Sequence, residues 1–262
     1  MAFILRAGLG LAGLSLSLGL LAVPSAASGA DTDDLADIPG VTAAEARLLA
    51  SDPSLDVSKD GTLYAVDEWE PPTDSSTTAE AAAVTAAAAT EEPATSEALA
   101  DAFTLHSRPG APRTIYLDFD GGSLLGSNSW LAQGLSSLLL PGLSTLLFSG
   151  WSIDGYATFS DTELAIIQEV WARVAEDYSP WNVDVTTQEP VLGSLWRATT
   201  SDQVYGVRVA FTNDTSIQSS LCNGACGGIS WIGTFNAVTN GETRSPSWVF
   251  PSSLGNRAKT IA

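Results

Sequence analysis

The tryptophans of this 262-residue chain are gathered in one part of it: seven of the eight lie between Trp130 and Trp248. Side chains of this size stabilise a fold by leaving water, so this part predicts a large packed core. Residues 73–100, in contrast, are almost entirely Ala, Thr, Ser, Glu and Pro, with no aromatic residue. Such a segment buries too little apolar surface to offset the entropy of ordering it. We therefore expect a folded domain over residues 103–262.

The N-terminus has the pattern of a cleavable secretory signal peptide. Arg6 is followed by an apolar run from Leu9 to Val23, then Pro24 and small residues up to Ala30. The run is short and rich in Gly and Ser, which disfavours a permanent membrane span. We expect residues 1–30 to be removed and the protein to be secreted without a stable membrane anchor; an uncleaved N-terminal anchor is the alternative.

The net charge of -19 is distributed unevenly. Residues 31–101 contain 17 acidic residues and two basic ones, whereas residues 102–262 contain 13 acidic and eight basic ones. No basic patch is present, so nucleic acid is not an expected partner. Residues 31–102 are predicted to be an acidic propeptide or linker, largely disordered, with a short helix near 42–50 and a strand over 62–66. Such a segment could block a cleft or only keep the chain soluble.

The clearest predicted element is an amphipathic helix over residues 160–178. Ser160 and Glu163 form a capping box at its start. Apolar residues recur at spacings of three and four: Leu164, Ile167, Trp171, Val174 and Tyr178. Strands are predicted over 113–119, 181–186, 205–212, 228–235 and 247–250. This order predicts an α/β fold, a mixed twisted sheet of about five strands with one long packed helix.

Two further segments of the domain give local predictions. Residues 123–150, rich in Leu, Ser and Gly and interrupted by Pro141, predict a pair of short packed helices rather than a membrane span. Cys222 and Cys226 form a close, even pair in an exported chain, which predicts a disulfide.

Four sequence segments of the domain resemble those of a known family: LHSRPGAPRTIYLDFDGG (105–122), VWARVAEDYSPWNVDVTTQEP (170–190), CGGISWIGTFN (226–236) and SPSWVFPSSLGNRAKTIA (245–262). They resemble secreted bacterial zinc metallopeptidases of the metzincin type, as does the order of strands around the long helix. The resemblance covers the N-terminal subdomain of that fold, over residues 103–262.

The resemblance implies a substrate-binding strand. In that family the fourth strand runs along the rim of the cleft, antiparallel to a protein or peptide substrate. Carried over by position, the strand residues are Gly228, Ile229, Ser230, Trp231, Ile232 and Gly233. An exposed edge of this kind offers main-chain hydrogen bonds to an extended peptide. A plain sheet edge after the turn at Gly227 is the alternative.

The zinc site implied by the resemblance is missing from the sequence. Such enzymes need a His-Glu-x-x-His helix, and this chain has a single histidine, His106, for which a surface or packing role is expected. Residues 258–262 resemble the start of that helix, so no metal ligand or catalytic residue is assigned here; both are expected just after Ala262. We expect an N-terminal fragment of a zinc metalloendopeptidase, inactive alone, with the strands around Trp231 and Trp248 left exposed. The alternative is a non-catalytic exported binding or surface protein.

The end of the first predicted strand contains a motif that would indicate a different class of enzyme. Asp118 and Asp120 resemble the Asp-x-Asp-Gly nucleophile motif of haloacid-dehalogenase phosphatases. Gly122 stands where that motif has Thr, and no later strand carries an Asp-Asp pair for magnesium. A turn at the end of the strand is therefore the expected structure.

Overall fold

The computed structural model describes residues 40–67, 99–191, 193–222, 224–239 and 241–262. The predicted signal peptide lies outside them. The helices are α1 (Ala43–Ser51), α2 (Ser129–Gln133), α3 (Asp161–Asp177), α4 (Thr215–Leu221) and α5 (Ala258–Ile261), with 3-10 turns at Asp101–Phe103 and Leu135–Leu138. The strands are β1 (Leu55–Val57), β2 (Leu63–Asp67), β3 (Arg113–Asp118), β4 (Gly121–Leu125), β5 (Thr145–Ser149), β6 (Asp184–Thr186), β7 (Tyr205–Phe211), β8 (Gly228–Trp231) and β9 (Ser247–Val249). None of the helices in these ranges has the length and apolar character needed to cross a membrane.

Seven of the described strands form one mixed sheet in the order β1-β2-β8-β9-β7-β3-β6. Strands β6, β3, β7 and β9 run parallel to one another, and β8, β2 and β1 follow with antiparallel pairings. The prediction of an α/β fold with a mixed sheet and a long helix is confirmed. Five strands come from the predicted domain, and β1 and β2 extend the sheet to seven.

The long helix α3 forms because its first turn is capped by its own side chains. The Ser160 hydroxyl accepts a hydrogen bond from the Glu163 backbone N–H, and the Glu163 carboxylate accepts one from the Ser160 N–H at 2.7 Å. Ile167 and Val170 are fully buried against the sheet. Tyr178, predicted on the same apolar stripe, is exposed because the helix ends at Asp177.

The sheet is covered on both faces by apolar side chains. On the helix side, α3 packs with Leu254, Ala258 and Ile261 against β3 and β7. On the other side, Trp130, Leu135 and Phe148 pack against β8 and β9. Trp231 and Trp248 are therefore 4% and 1% exposed, and the expectation that the strands around them would be left open is wrong.

Residues 121–149, which provide this cover, differ from the predicted pair of short helices. Helix α2 and a 3-10 turn occupy the middle, but β4 and β5 flank them as an antiparallel pair. The leucine doublets explain the difference, since Leu124 and Leu146 point into the core while Leu125 and Leu147 are exposed. This alternation is that of a strand with one buried face.

The N-terminal unit, which we define as residues 40–67, is folded and contains the predicted short helix and strand; the prediction that residues 31–102 are largely disordered is not confirmed for this part. Helix α1 begins with the predicted capping box of Thr42 and Glu45. A small cluster of Ala46, Leu49 and Leu63 joins the helix to the β1–β2 hairpin. Residues 68–98 lie outside the described part of the chain.

Candidate functional site

Strand β8 contains four of the six predicted substrate-binding residues. Ile229 and Trp231 are buried, whereas Gly228 and Ser230 are partly exposed. Ile232 and Gly233 follow the strand as an exposed turn, with Gly233 at a φ of 74°. The structure thus brings the backbone of residues 228–231 into an extended line and leaves the last two residues outside it.

The outer edge of β8 is occupied by β2, so β8 is not the exposed edge strand that the sequence predicts. The register places Tyr64 opposite Trp231, Ala65 opposite Ser230, Val66 opposite Ile229 and Asp67 opposite Gly228. At the two ends, Ile232 N–H donates to the Leu63 carbonyl at 2.9 Å and Gly227 N–H donates to the Asp67 carbonyl at 2.8 Å. The main-chain hydrogen-bonding groups along this edge are therefore already paired with an extended antiparallel segment.

The contact between β2 and β8 is apolar on one face of the sheet. Tyr64 is 6% exposed and packs edge-on against Trp231, and Trp231 in turn lies 4.6 Å from Trp130 between ring centroids. Val66 packs against the same cluster. Sequence reasoning predicted a strand over 62–66 but missed Tyr64, Val66 and Trp130 as parts of this site. The alternation around Tyr64 predicts a strand, but it does not identify the partner strand.

Polar contacts fix the ends of the same interface. Arg244 donates from Nη2 to the Thr62 hydroxyl at 2.6 Å and lies 3.9 Å from the Asp60 carboxylate. The pKa of Asp60 is lowered chiefly by its hydrogen bond from Ser58, with a smaller effect from Arg244. At the other end, a Cβ on Gly227 would lie 2.5 Å from Asp67 Oδ2, so glycine permits the close approach of the two strands here.

A disulfide between Cys222 and Cys226, as predicted, closes the turn before β8. The backbone carbonyl of Cys226 accepts a hydrogen bond from the Gln218 side chain at 2.8 Å, and Gln218 also contacts Ser253. Helix α4 and the turn are thereby tied together directly ahead of Gly228. The crosslink anchors the start of the candidate strand.

His106 lies far along the sheet from β8 and makes two hydrogen bonds. Its Nδ1 is 2.6 Å from Asp184 Oδ2, and its Nε2 is 2.7 Å from Gln188 Oε1. Burial lowers the pKa of His106, but the hydrogen bonds to Gln188 and Asp184 and the charge of Asp184 outweigh it, so the pKa is raised. Both ring nitrogens are engaged with protein oxygens.

The residues present do not fit a zinc centre. The sequence has one histidine, and its two nitrogens are used as just described. Within the described ranges, no group of three or more His, Cys, Asp and Glu side chains could hold a metal ion. Zinc needs three or four protein ligands, so no chemical step is assigned to it in residues 40–262.

Asp118 is a buried structural carboxylate rather than an accessible nucleophile. Its side chain is fully buried and forms an ion pair with Arg208, while Gly121 N–H donates to its other oxygen at 3.2 Å. Burial raises the pKa of Asp118 to about 7, opposed by the charge of Arg208. These contacts fit the turn at the end of the strand.

A pocket of about 360 Å³ lies beside this ion pair, between β4 and the loops around residues 190 and 243. Tyr116, Trp196 and Arg208 form part of its wall. None of residues 228–233 lines it, so it is separate from the candidate strand.

No protein-family model, curated protein or solved structure matches this chain.

Proposed function

We propose that the outer edge of β8 is a binding site for an extended peptide, in the N-terminal part of a secreted zinc metalloendopeptidase. The substrate is a protein or peptide chain, and its main chain pairs antiparallel with residues 228–233. The second candidate is a non-catalytic exported binding or surface protein that uses the same edge. Both functions share the binding step and differ in whether the bound chain is cut.

The observation that carries the proposal is the pairing of β8 with β2. An extended segment from outside the predicted domain adds to this edge antiparallel and over four paired residues. Strand addition of this kind gains main-chain hydrogen bonds from any extended sequence, which suits a protein that acts on many peptides. The edge is therefore competent to hold a peptide in the orientation that the metzincin resemblance implies.

The position of β8 in the sheet supports the same proposal. Within residues 103–262, β8 is the fourth strand of the large sheet in chain order and lies at its end, antiparallel to its neighbour β9. The metzincin resemblance implies such a fourth strand at the rim of the cleft. Helix α5, whose residues resemble the start of the zinc-binding helix, packs against the sheet on the side of α3.

Catalysis is assigned to residues that would follow Ala262 in a longer gene product. The described residues do not fit zinc, and their part in the proposed function is to bind and orient the substrate. Residues 1–30 are assigned as the signal peptide and residues 31–102 as an acidic propeptide or linker. The disulfide of Cys222 and Cys226 supports an oxidising, extracellular compartment.

The test uses the product of the reading frame extended past Ala262. We expect it to cleave casein and to lose cleavage when a zinc chelator is added. Restoration of cleavage by added zinc controls for damage by the chelator. A stop codon after Ala262, or a longer product without zinc and without cleavage, would reject the peptidase and leave the binding protein.

A further inference from the structure

Strand β2 belongs to a unit with a small core of its own. Helix α1 and the β1–β2 hairpin bury Ala46, Leu49 and Leu63 together, with Val41, Leu55 and Val57 packed around them. Residues 40–67 are fewer than the roughly 40 that a chain usually needs to fold without help. The unit therefore depends on docking to β8 for much of its stability, and residues 68–98 connect it to the domain.

The alternation along β2 divides its side chains between the two faces of the sheet. Tyr64 and Val66 pack with Trp231 and Ile229 in the cluster on the side of α2. Leu63, one residue earlier, points the other way and contacts α1. Because neighbouring residues of a strand face opposite sides, α1 lies on the sheet face that also carries α3 and α5. The N-terminal unit thus covers the edge of β8, and its helix lies over its own β1–β2 hairpin.

We propose that the N-terminal unit occupies the β8 edge in place of a peptide ligand. Its strand β2 then resembles the peptide that this edge binds. This inference rests on the proposed function of β8. The preferred ligand is then an extended antiparallel segment with an aromatic residue opposite Trp231 and a branched aliphatic residue opposite Ile229. Once the chain is cut within residues 68–98, a free peptide can displace the segment.

The covalent connection explains why the unit stays in place before the cut. A segment tethered to its own binding site competes intramolecularly, so an external peptide must exceed the effective concentration of the tethered segment. Cutting the connection turns docking into an association between two chains, which adds the cost of lost translational and rotational freedom. A peptide in solution then competes with the unit on equal terms.

The experiment uses residues 31–262 with a site-specific protease sequence inserted within residues 68–98. A fluorescent synthetic peptide with the sequence of residues 59–69 is added before and after the cut. We expect the peptide to bind at least about tenfold more tightly after the cut and to release the N-terminal unit, observed by size-exclusion chromatography. Equal binding before and after the cut, or no release at excess peptide, would overturn the inference.

Peptide variants test the side-chain preference. A peptide carrying Tyr64→Ala should bind at least about tenfold more weakly, because it loses the aromatic contact with Trp231. Lys59→Gln is the matched control, since Lys59 is exposed and precedes β2, and its binding should stay within about twofold. Equal affinities for the Tyr64→Ala and unchanged peptides would refute the aromatic preference.

A backbone variant tests strand addition itself. Val66 N–H donates to the Ser54 carbonyl on the β1 side at 2.8 Å, so the N–H of the neighbouring Ala65 faces β8. N-methylation at Ala65 should abolish binding of the peptide, and N-methylation at Val66 should be tolerated because a free peptide has no β1 partner. Equal effects of the two modifications would contradict pairing in this register.

The binding and cleavage experiments separate the two proposals. Peptide binding without casein cleavage would reject the peptidase. It would support the proposal that the N-terminal unit occupies a peptide-binding edge of β8. Chelator-sensitive cleavage without peptide binding would support the peptidase. It would reject the proposal that β2 resembles the peptide ligand of the β8 edge.

Discussion

The ring of Tyr64 meets the indole ring of Trp231 edge-on, with the centroids 5.6 Å apart and the planes at 75°. The two residues are also direct partners in the register of β2 and β8. Edge-to-face aromatic pairs contribute free energy beyond the area they bury. This contact therefore links the N-terminal unit to the core of the sheet.

Replacing Tyr64 tests how much this link contributes to stability. Tyr64→Ala should lower the free energy of unfolding by about 3–4 kcal/mol, because it removes a buried aromatic ring and leaves a cavity. Tyr64→Phe is the control: it keeps the ring and loses the hydroxyl, which donates to Asp56 at 2.8 Å, and we expect a cost of about 1 kcal/mol. Urea denaturation measures both. Equal midpoints for the two variants would show that the ring contributes nothing.

Removing the buried carboxylate of Asp118 should be costly. Asp118→Ala leaves the charge of Arg208 without its partner in a partly buried site, and we expect a loss of about 3–5 kcal/mol at pH 8. Glu169→Ala is the matched control, since Glu169 pairs with Arg173 on the exposed face of α3 and should cost at most about 0.5 kcal/mol. Similar losses in the two variants would contradict the difference in burial.

Because His106 is the single histidine of the sequence, its titration can be measured without overlap from other imidazoles. The raised pKa of His106 means that the folded state holds the proton more tightly than the unfolded state. The resulting stability is fully present below the unfolded pKa near 6.5 and is lost as the pH rises through the folded pKa. NMR titration of the one imidazole should give a midpoint above 6.5.

Asp184→Asn provides the control for that titration. It keeps the shape of the Asp184 side chain but removes the negative charge beside His106, so the midpoint should fall towards or below 6.5. An unchanged midpoint in this variant would show that Asp184 does not set the pKa of His106.

Gly206 should not accept a side chain. A Cβ at this position would lie 2.1 Å from the Thr114 carbonyl oxygen on the neighbouring strand. Gly206→Ala therefore forces β3 and β7 apart at the start of both strands, and we expect a loss of more than about 3 kcal/mol or no folded protein. Gly241→Ala, where the nearest atom would be 3.5 Å away, is the control and should melt near the unchanged protein.

Much of the domain could be predicted from local pattern. The capping box of Ser160 and Glu163 and the apolar spacing behind it identified α3, and each of the five predicted strands of the domain overlaps a strand of the sheet. These features depend on neighbours within one turn or one strand, which a single sequence records. The candidate strand β8 was located in the same way.

The missing parts depend on contacts between distant segments. The five-residue strand β2 was predicted, but its partner β8 lies more than half the chain away, and no local pattern identifies it. The cover over Trp231 and Trp248 comes from Trp130 and Phe148, in a segment whose leucine doublets fit helix and strand equally well. Both errors concern which surfaces meet, rather than which elements form.

The long separation in sequence between β2 and β8 also affects the order in which parts of the protein fold. Pairing between such remote segments closes a long loop, so we expect it to form late. Until then the outer edge of β8 is an unpaired strand, of the kind that pairs between molecules and begins aggregation. Strand β2 therefore protects the finished sheet from edge-to-edge association, and chains that lack residues 40–67 should form oligomers during refolding at high protein concentration.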